Sequence, residues 1–400
     1  EQTEEGILKP VVTRDIYSMI NGVPMGTQPV SMYPHWTERW DGEDKTSWLW
    51  VAQKGGQGAI DISGSSYKQE GILSQMFLSK SYPEGFVSVG VIDMQFLTMA
   101  IGEDGTIYTR VKDSNLLFNS SNFLDRPLTS DKEGKIKVDG SMIAYAPFDE
   151  HGGMVLYDKN SAQYLHIADY KNWQGYNYSG KVLPLKVEEY EYGPSDARLD
   201  NMKDYSVYFV GASLVDWGDI SYMSIIKDKA GKFYMQKFKV EAYGGGSSVT
   251  KVGASFISQS EIKGLDAVID GTSKNCFYLC RNQDKAPYLF ISKGETLYFY
   301  YTDGNKLYTC AQFDSPIASI DAECFNNKYI IVGLESGDVF ILKGEDDNSD
   351  YTLKKYVIQQ NKVIQVTDAE NKFVLFHEKD FGKIIQVRYK WKESWNESFS

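Results

Sequence analysis

The chain has 400 residues, of which 42% are hydrophobic, 14% aromatic and 24% charged. That much apolar material supports a sizeable core and excludes wholesale disorder. Forty-two Lys and Arg against 54 Asp and Glu leave a formal charge of −12, which excludes general nucleic-acid binding and disfavours anionic membrane surfaces, since both rest on cationic contacts.

No run approaches the roughly 18 apolar residues of a spanning helix, so no transmembrane segment is expected. Residues 1–6 read Glu-Gln-Thr-Glu-Glu-Gly, with neither a basic nor an apolar leader. We expect a processed or trimmed chain whose targeting segment is out of view, which leaves export open. Next, Ile7-Leu-Lys-Pro-Val-Val-Thr-Arg-Asp-Ile-Tyr17 is expected to be a strand.

From there a single phrase recurs: a β-rich run, a Gly- or Asp-bearing turn, and a second β-rich run. Trp48-Leu-Trp-Val-Ala52 precedes Ile60-Asp-Ile62, and Phe96-Leu-Thr-Met-Ala-Ile101 leads through Asp104-Gly105 into Thr106-Ile-Tyr-Thr-Arg-Val111. Gly153-Met-Val-Leu-Tyr157 precedes Gln163-Tyr-Leu-His-Ile-Ala168, and Tyr222-Met-Ser-Ile-Ile226 leads through Gly231 into Lys232-Phe-Tyr-Met-Gln-Lys-Phe238. Three further copies turn near Gly294, Gly337 and Gly382. Such runs around a glycine turn are hairpin signals, and helical periodicity is nearly absent.

Seven turn centres recur at a mean spacing of about 54 residues, close to the roughly 40–50 of a four-stranded propeller blade with insertions. The fold class is therefore all-β: a β-propeller of seven four-stranded blades, ring closed by the N-terminal strand, as a single domain over residues 1–400. Six or eight blades, or a pair of β-sandwiches, are the competing architectures. No linker divides the chain; Gly244-Gly-Gly-Ser-Ser248 and Gly344-Glu-Asp-Asp-Asn-Ser-Asp350 read as loops between repeats.

Enzymatic signatures are missing. There is no Gly-x-Ser-x-Gly elbow, P-loop, His-Glu-x-x-His or Gly-x-Gly-x-x-Gly. His35, His151, His166 and His377 do not stand at zinc spacing to Cys276, Cys280, Cys310 or Cys324, so no metal and no cofactor is expected. His35 is expected in a loop. The cysteines read as small buried thiols, with a Cys310–Cys324 pair as the alternative.

Three aromatic, polar segments stand out. Tyr33-Pro-His-Trp-Thr-Glu-Arg-Trp-Asp-Gly42 contains Trp36 and Trp40. Lys171-Asn-Trp-Gln-Gly-Tyr-Asn-Tyr-Ser-Gly180 contains Trp173, Tyr176 and Tyr178, and reads as a long connection. Val215-Asp-Trp-Gly-Asp219 sets Trp217 between Asp216 and Asp219. Flat rings beside amide and carboxylate acceptors suit neutral sugars, which offer a C–H face for stacking and hydroxyls for hydrogen bonds. The alternative is that these rings pack beneath their own loops.

Arg14-Asp-Ile-Tyr-Ser-Met-Ile-Asn-Gly-Val-Pro-Met25, followed by Tyr-rich repeats with Gly and Asp turns, resembles the propeller portion of PKD-like family surface lipoproteins, which accompany SusC/SusD-type polysaccharide-uptake systems of gut anaerobes. The resemblance implies an exported, lipid-anchored protein at the cell surface or in the periplasm, with a glycan or outer-membrane uptake proteins as partners. It implies no catalytic residues. The expectation is a non-catalytic binding propeller; the alternative is a glycoside hydrolase or polysaccharide lyase with a carboxylate pair in the central funnel.

Overall fold

A computed structural model describes residues 16–37, 46–79, 81–93, 97–111, 122–131, 133–144, 153–171, 177–216, 219–243, 251–279, 288–302, 305–322, 329–343, 354–358, 366–367 and 372–373. The fold is all-β and of the β-propeller type, with five four-stranded antiparallel blades, each a meander. Blade 1 comprises β1 (Pro29–Thr37), β2 (Thr46–Gln53), β3 (Ile60–Ser63) and β4 (Gln69–Ile72). A three-stranded sheet follows, of β5 (Ser88–Asp93), β6 (Leu97–Gly102) and β7 (Ile107–Val111). Blade 2 is β8 (Ile143–Ala144), β9 (Gly153–Asp158), β10 (Gln163–Lys171) and β11 (Asn177–Pro184). Blade 3 is β12 (Tyr205–Asp216), β13 (Asp219–Asp228), β14 (Phe233–Tyr243) and β15 (Lys251–Glu261). Blade 4 is β16 (Phe277–Leu279), β17 (Tyr288–Lys293), β18 (Thr296–Tyr301) and β19 (Lys306–Gln312). Blade 5 is β20 (Ile317–Ala322), β21 (Tyr329–Leu334), β22 (Val339–Lys343) and β23 (Lys354–Ile358), and a two-stranded sheet, β24 (Val366–Thr367) with β25 (Lys372–Phe373), comes last.

The expectation of seven four-stranded blades is thus corrected to five. In the three-stranded sheet the place beside β7 is taken by an irregular segment. Leu124 N–H donates to Thr109 O (3.0 Å) and Leu128 N–H to Ile107 O (2.8 Å). Between them Pro127 has no N–H to give, so a regular ladder does not form. The expected closing strand is corrected at its end: Ile16–Asn21 form a short helix, α1, while residues 7–15 lie outside the described residues. So do residues 244–250 and 344–350, His151, His377, Cys280 and Cys324, and all but Phe373 of the last repeated phrase.

Contacts divide the chain into two compact units, one of Ile20–Asp266 with Gln283–Lys285, the other of Glu1–Met19, Ala267–Asn282 and Ala286–Ser400. Within the first, each sheet packs on the next. Trp50, Ala52 and Phe77 share a core with Val91, Ala100 and Tyr108. Leu97, Met99 and Ile107 share one with Met154, Leu156, Leu165 and Ile167. Val155, Tyr157 and Tyr164 share a third with Val210, Tyr222, Ile226 and Phe238. Alternate residues of one strand therefore enter different cores: Leu97 and Met99 one, Ala100 another; Met154 and Leu156 one, Val155 and Tyr157 another. A period of two is what a pleated strand imposes. In the second unit Phe290, Leu297 and Phe299 of blade 4 pack with Ile317, Ile330, Val332 and Phe340 of blade 5.

Three of the repeated turns share one geometry. At Gly102–Gly105, Asp228–Gly231 and Leu334–Gly337 the fourth residue is a glycine with φ of 81°, 88° and 88°. Its N–H bonds back to the first residue's carbonyl at 2.9–3.1 Å. This is a three-residue hairpin loop ending in the left-handed region. Aspartates lock two of the turns. Thr106 N–H and hydroxyl donate to Asp104, and Lys232 N–H and the Tyr234 hydroxyl donate to Asp228, all at 2.7–2.9 Å. Burial pushes the Asp228 carboxyl up, but these donors outweigh it and hold the group below the usual carboxylate range.

The glycines make unequal demands. Both need a positive φ, which costs an L-residue about 1–2 kcal/mol. A Cβ on Gly105 would also fall 2.6 Å from Asp139 Oδ1, whereas one on Gly231 meets nothing nearer than 4.0 Å. Urea unfolding should show Gly231→Ala losing about 1 kcal/mol and Gly105→Ala distinctly more. Equal losses would contradict the packed turn at Gly105.

Candidate functional site

In a meander the first–second and third–fourth turns lie at one end of the sheet, and the second–third turn at the other. Successive sheets of the Ile20–Asp266 unit run the same way. Ser31, near the start of β1, donates its hydroxyl to Val89 O near the start of β5 (2.7 Å). Lys54, just after β2, pairs with Glu103, just after β6. The second–third turns therefore gather at one end and the first–second and third–fourth turns at the other.

The four described sequence candidates, Trp36, Tyr178, Asp216 and Asp219, fall at the latter end. Trp36 is next to last in β1, opposite Ser47, and Trp40 lies between β1 and β2. Trp173 and Tyr176 lie between β10 and β11, and Tyr178 is second in β11, opposite Tyr170. Asp216 ends β12 and Asp219 begins β13, directly opposite one another, with Trp217 between them. Trp40, Trp173, Tyr176 and Trp217 are outside the described residues. The structure thus shares the described candidates among three strand pairs of blades 1, 2 and 3. It also corrects the reading of residues 171–180 as a long connection, because Lys171 and residues 177–180 are strand, and only 172–176 join them.

His35 is likewise not in a loop. It sits in β1, 8% exposed, and its Nε2–H donates to Asp61 Oδ1 of β3 at 2.9 Å. Its ring stacks on Trp48 (5.6 Å, 21°) and Trp50 (6.2 Å, 22°) of the intervening β2. The register explains the arrangement: His35 faces Trp48, and Trp50 faces Asp61, so alternate residues of three strands meet on one face. The pair ties β1 to β3 across β2, one residue before Trp36. Sequence missed it because His35 and Asp61 are 26 residues apart and neither belongs to a motif.

Among the described residues, no three His, Cys, Asp or Glu side chains are grouped to hold a metal ion. Cys276 and Cys310 are free thiols, and burial pushes the Cys310 thiol up to about 12, far from a reactive thiolate. No family model matches the chain, and no curated protein matches it.

Removing the acceptor of a buried hydrogen bond leaves its donor unsatisfied, at about 1–3 kcal/mol. Asp61→Ala should therefore cost about 3 kcal/mol in urea unfolding. Asp61→Asn should cost about 1 kcal/mol, because the amide oxygen still accepts the Nε2–H. Equal losses for the two variants would contradict the assigned bond.

Proposed function

We propose that this chain is a non-catalytic, exported β-propeller that binds a neutral glycan. The observation that supports it is topological: three hairpins rich in Trp, Tyr, Asn and Asp emerge from the same end of three sheets in one compact unit. The meander leaves no freedom in which end a turn occupies, so residues separated by up to 183 positions (from Trp36 to Asp219) share it. Aromatic rings stack on the C–H faces of sugars, and the adjacent Asn177, Asp216 and Asp219 supply hydrogen-bond acceptors.

The likeness to PKD-like surface lipoproteins supplies the context: a lipid-anchored precursor at the cell surface or in the periplasm, beside SusC/SusD-type uptake proteins.

A second reading, a glycoside hydrolase or polysaccharide lyase, draws on one observation. Asp216 and Asp219 stand directly across a hairpin, where antiparallel Cα atoms are about 4.5–5.5 Å apart and two carboxyl groups can act on one bond.

Affinity gels with neutral polysaccharides separate the two. Trp36→Ala, Trp173→Ala and Trp217→Ala should each weaken retention about tenfold, the 1.4 kcal/mol expected of one stacked ring, while Lys229→Ala at the opposite end should not. Release of reducing ends or unsaturated sugars, abolished in Asp216→Asn and Asp219→Asn, would establish the hydrolase or lyase instead. Retention unchanged in all three Trp variants would overturn sugar binding at this end.

A further inference from the structure

We infer that the segment joining β11 to β12, residues 185–204, is a guard strap that keeps the outer strand of blade 3 from pairing with a second copy of this chain. β15 is the longest outer strand, 11 residues against 4 in β4, 8 in β11, 7 in β19 and 5 in β23. An outer strand offers a row of unpaired N–H and C=O groups, and the longer it is the better a template it makes.

The sequence of β15 favours its own copy as the occupant. Between Lys251 and Glu261 it reads Val-Gly-Ala-Ser-Phe-Ile-Ser-Gln-Ser, with no charge and no proline. Antiparallel pairing of two copies centred on Phe256 sets Lys251 of each opposite Glu261 of the other. Opposite charges at both ends and an uncharged middle make the strand self-complementary.

The strap occupies that edge. Ala254 N–H donates to Lys186 O at 2.9 Å, and Phe256 N–H donates to Glu191 Oε2 at 2.8 Å. Ala197 N–H donates to Gln259 Oε1 at 2.9 Å. Tyr192 lies against Phe256 (ring centroids 4.8 Å apart), its hydroxyl accepts the Leu199 N–H at 2.9 Å, and the Arg198 guanidinium sits 5.6 Å over its ring. Burial pushes the Tyr192 phenol up to about 12. The strap's ends are sunk in the core at Leu185, Leu199 and Met202, so its middle is held over Phe256 by Glu191 and Tyr192. Beside this point Ile257 is extruded at a bulge and 47% exposed, an apolar contact for an arriving strand.

The test uses the full chain carrying Glu191→Ala and Tyr192→Ala. Light scattering should show the mass doubling as concentration rises, and adding Ile257→Lys, which sets a charge on the edge, should restore the monomer. Glu191→Gln alone, which keeps the acceptor, should stay monomeric. Hydrogen exchange should accelerate in residues 185–199, and in residues 251–261 only while the chain is monomeric. A monomer at every concentration, a doubling that Ile257→Lys leaves intact, or fast exchange throughout blade 3 would each overturn the strap.

Discussion

The structure rests on strands in the middle of their sheets, such as β6, β9 and β13, that are buried on both faces. All six residues of β6 are buried, and they divide between two cores, Leu97 and Met99 on one side, Ala100 on the other. β9 divides in the same way. A fully buried Leu, Ile or Met side chain contributes about 1.5–3 kcal/mol, and such a strand collects half of that from each neighbouring sheet. No sheet within a unit can hold its strands alone, so the sheets must stack, and stacking in chain order brings turns of one kind to one end.

A second device repeats with the first. The opening strands β1, β5, β12 and β20 each carry a register shift near their start, at Pro29/Ser31, Ser88/Gly90, Val207/Phe209 and Ile317/Ser319. In two cases the displaced residue's carbonyl is taken by the preceding sheet: Val89 O by the Ser31 hydroxyl, and Ala318 O by the Cys276 thiol at 3.2 Å. A bulge turns a backbone group out of its own ladder. Here that group becomes a hydrogen bond between sheets where side-chain packing is non-directional. Burial holds neighbours together, and the bulge bond aligns their starting points.

The hairpins were legible in the sequence because their signal is local. Gly105, Gly231 and Gly337 each stand where a three-residue loop needs a positive φ, with β-branched and aromatic runs on either side. Six of the seven repeated phrases are the second and third strands of a sheet, strands that, β7 excepted, have two neighbours in the ladder. The outer and opening strands were less legible, since β8 has two residues, β16 has three, and β4 reads Gln-Glu-Gly-Ile. Long-range features left no trace: the His35–Asp61 pair, the Pro127-bearing segment beside β7, and the strap, whose Glu-Glu-Tyr-Glu-Tyr run looks like a solvated loop although Glu191 and Tyr192 cover an edge. Of the site, the aromatic residues were visible as a composition, and their common end was not, because it follows from strand order alone.

We propose that ligand binding belongs to the end formed by the β1–β2, β10–β11 and β12–β13 turns. Hydrogen exchange along the whole chain, with and without a neutral polysaccharide that it retains, tests this directly. Exchange should slow in peptides spanning residues 36–46, 171–178 and 216–219, and not in the opposite turns at 54–59, 159–162 and 229–232. Protection confined to the opposite turns would contradict it.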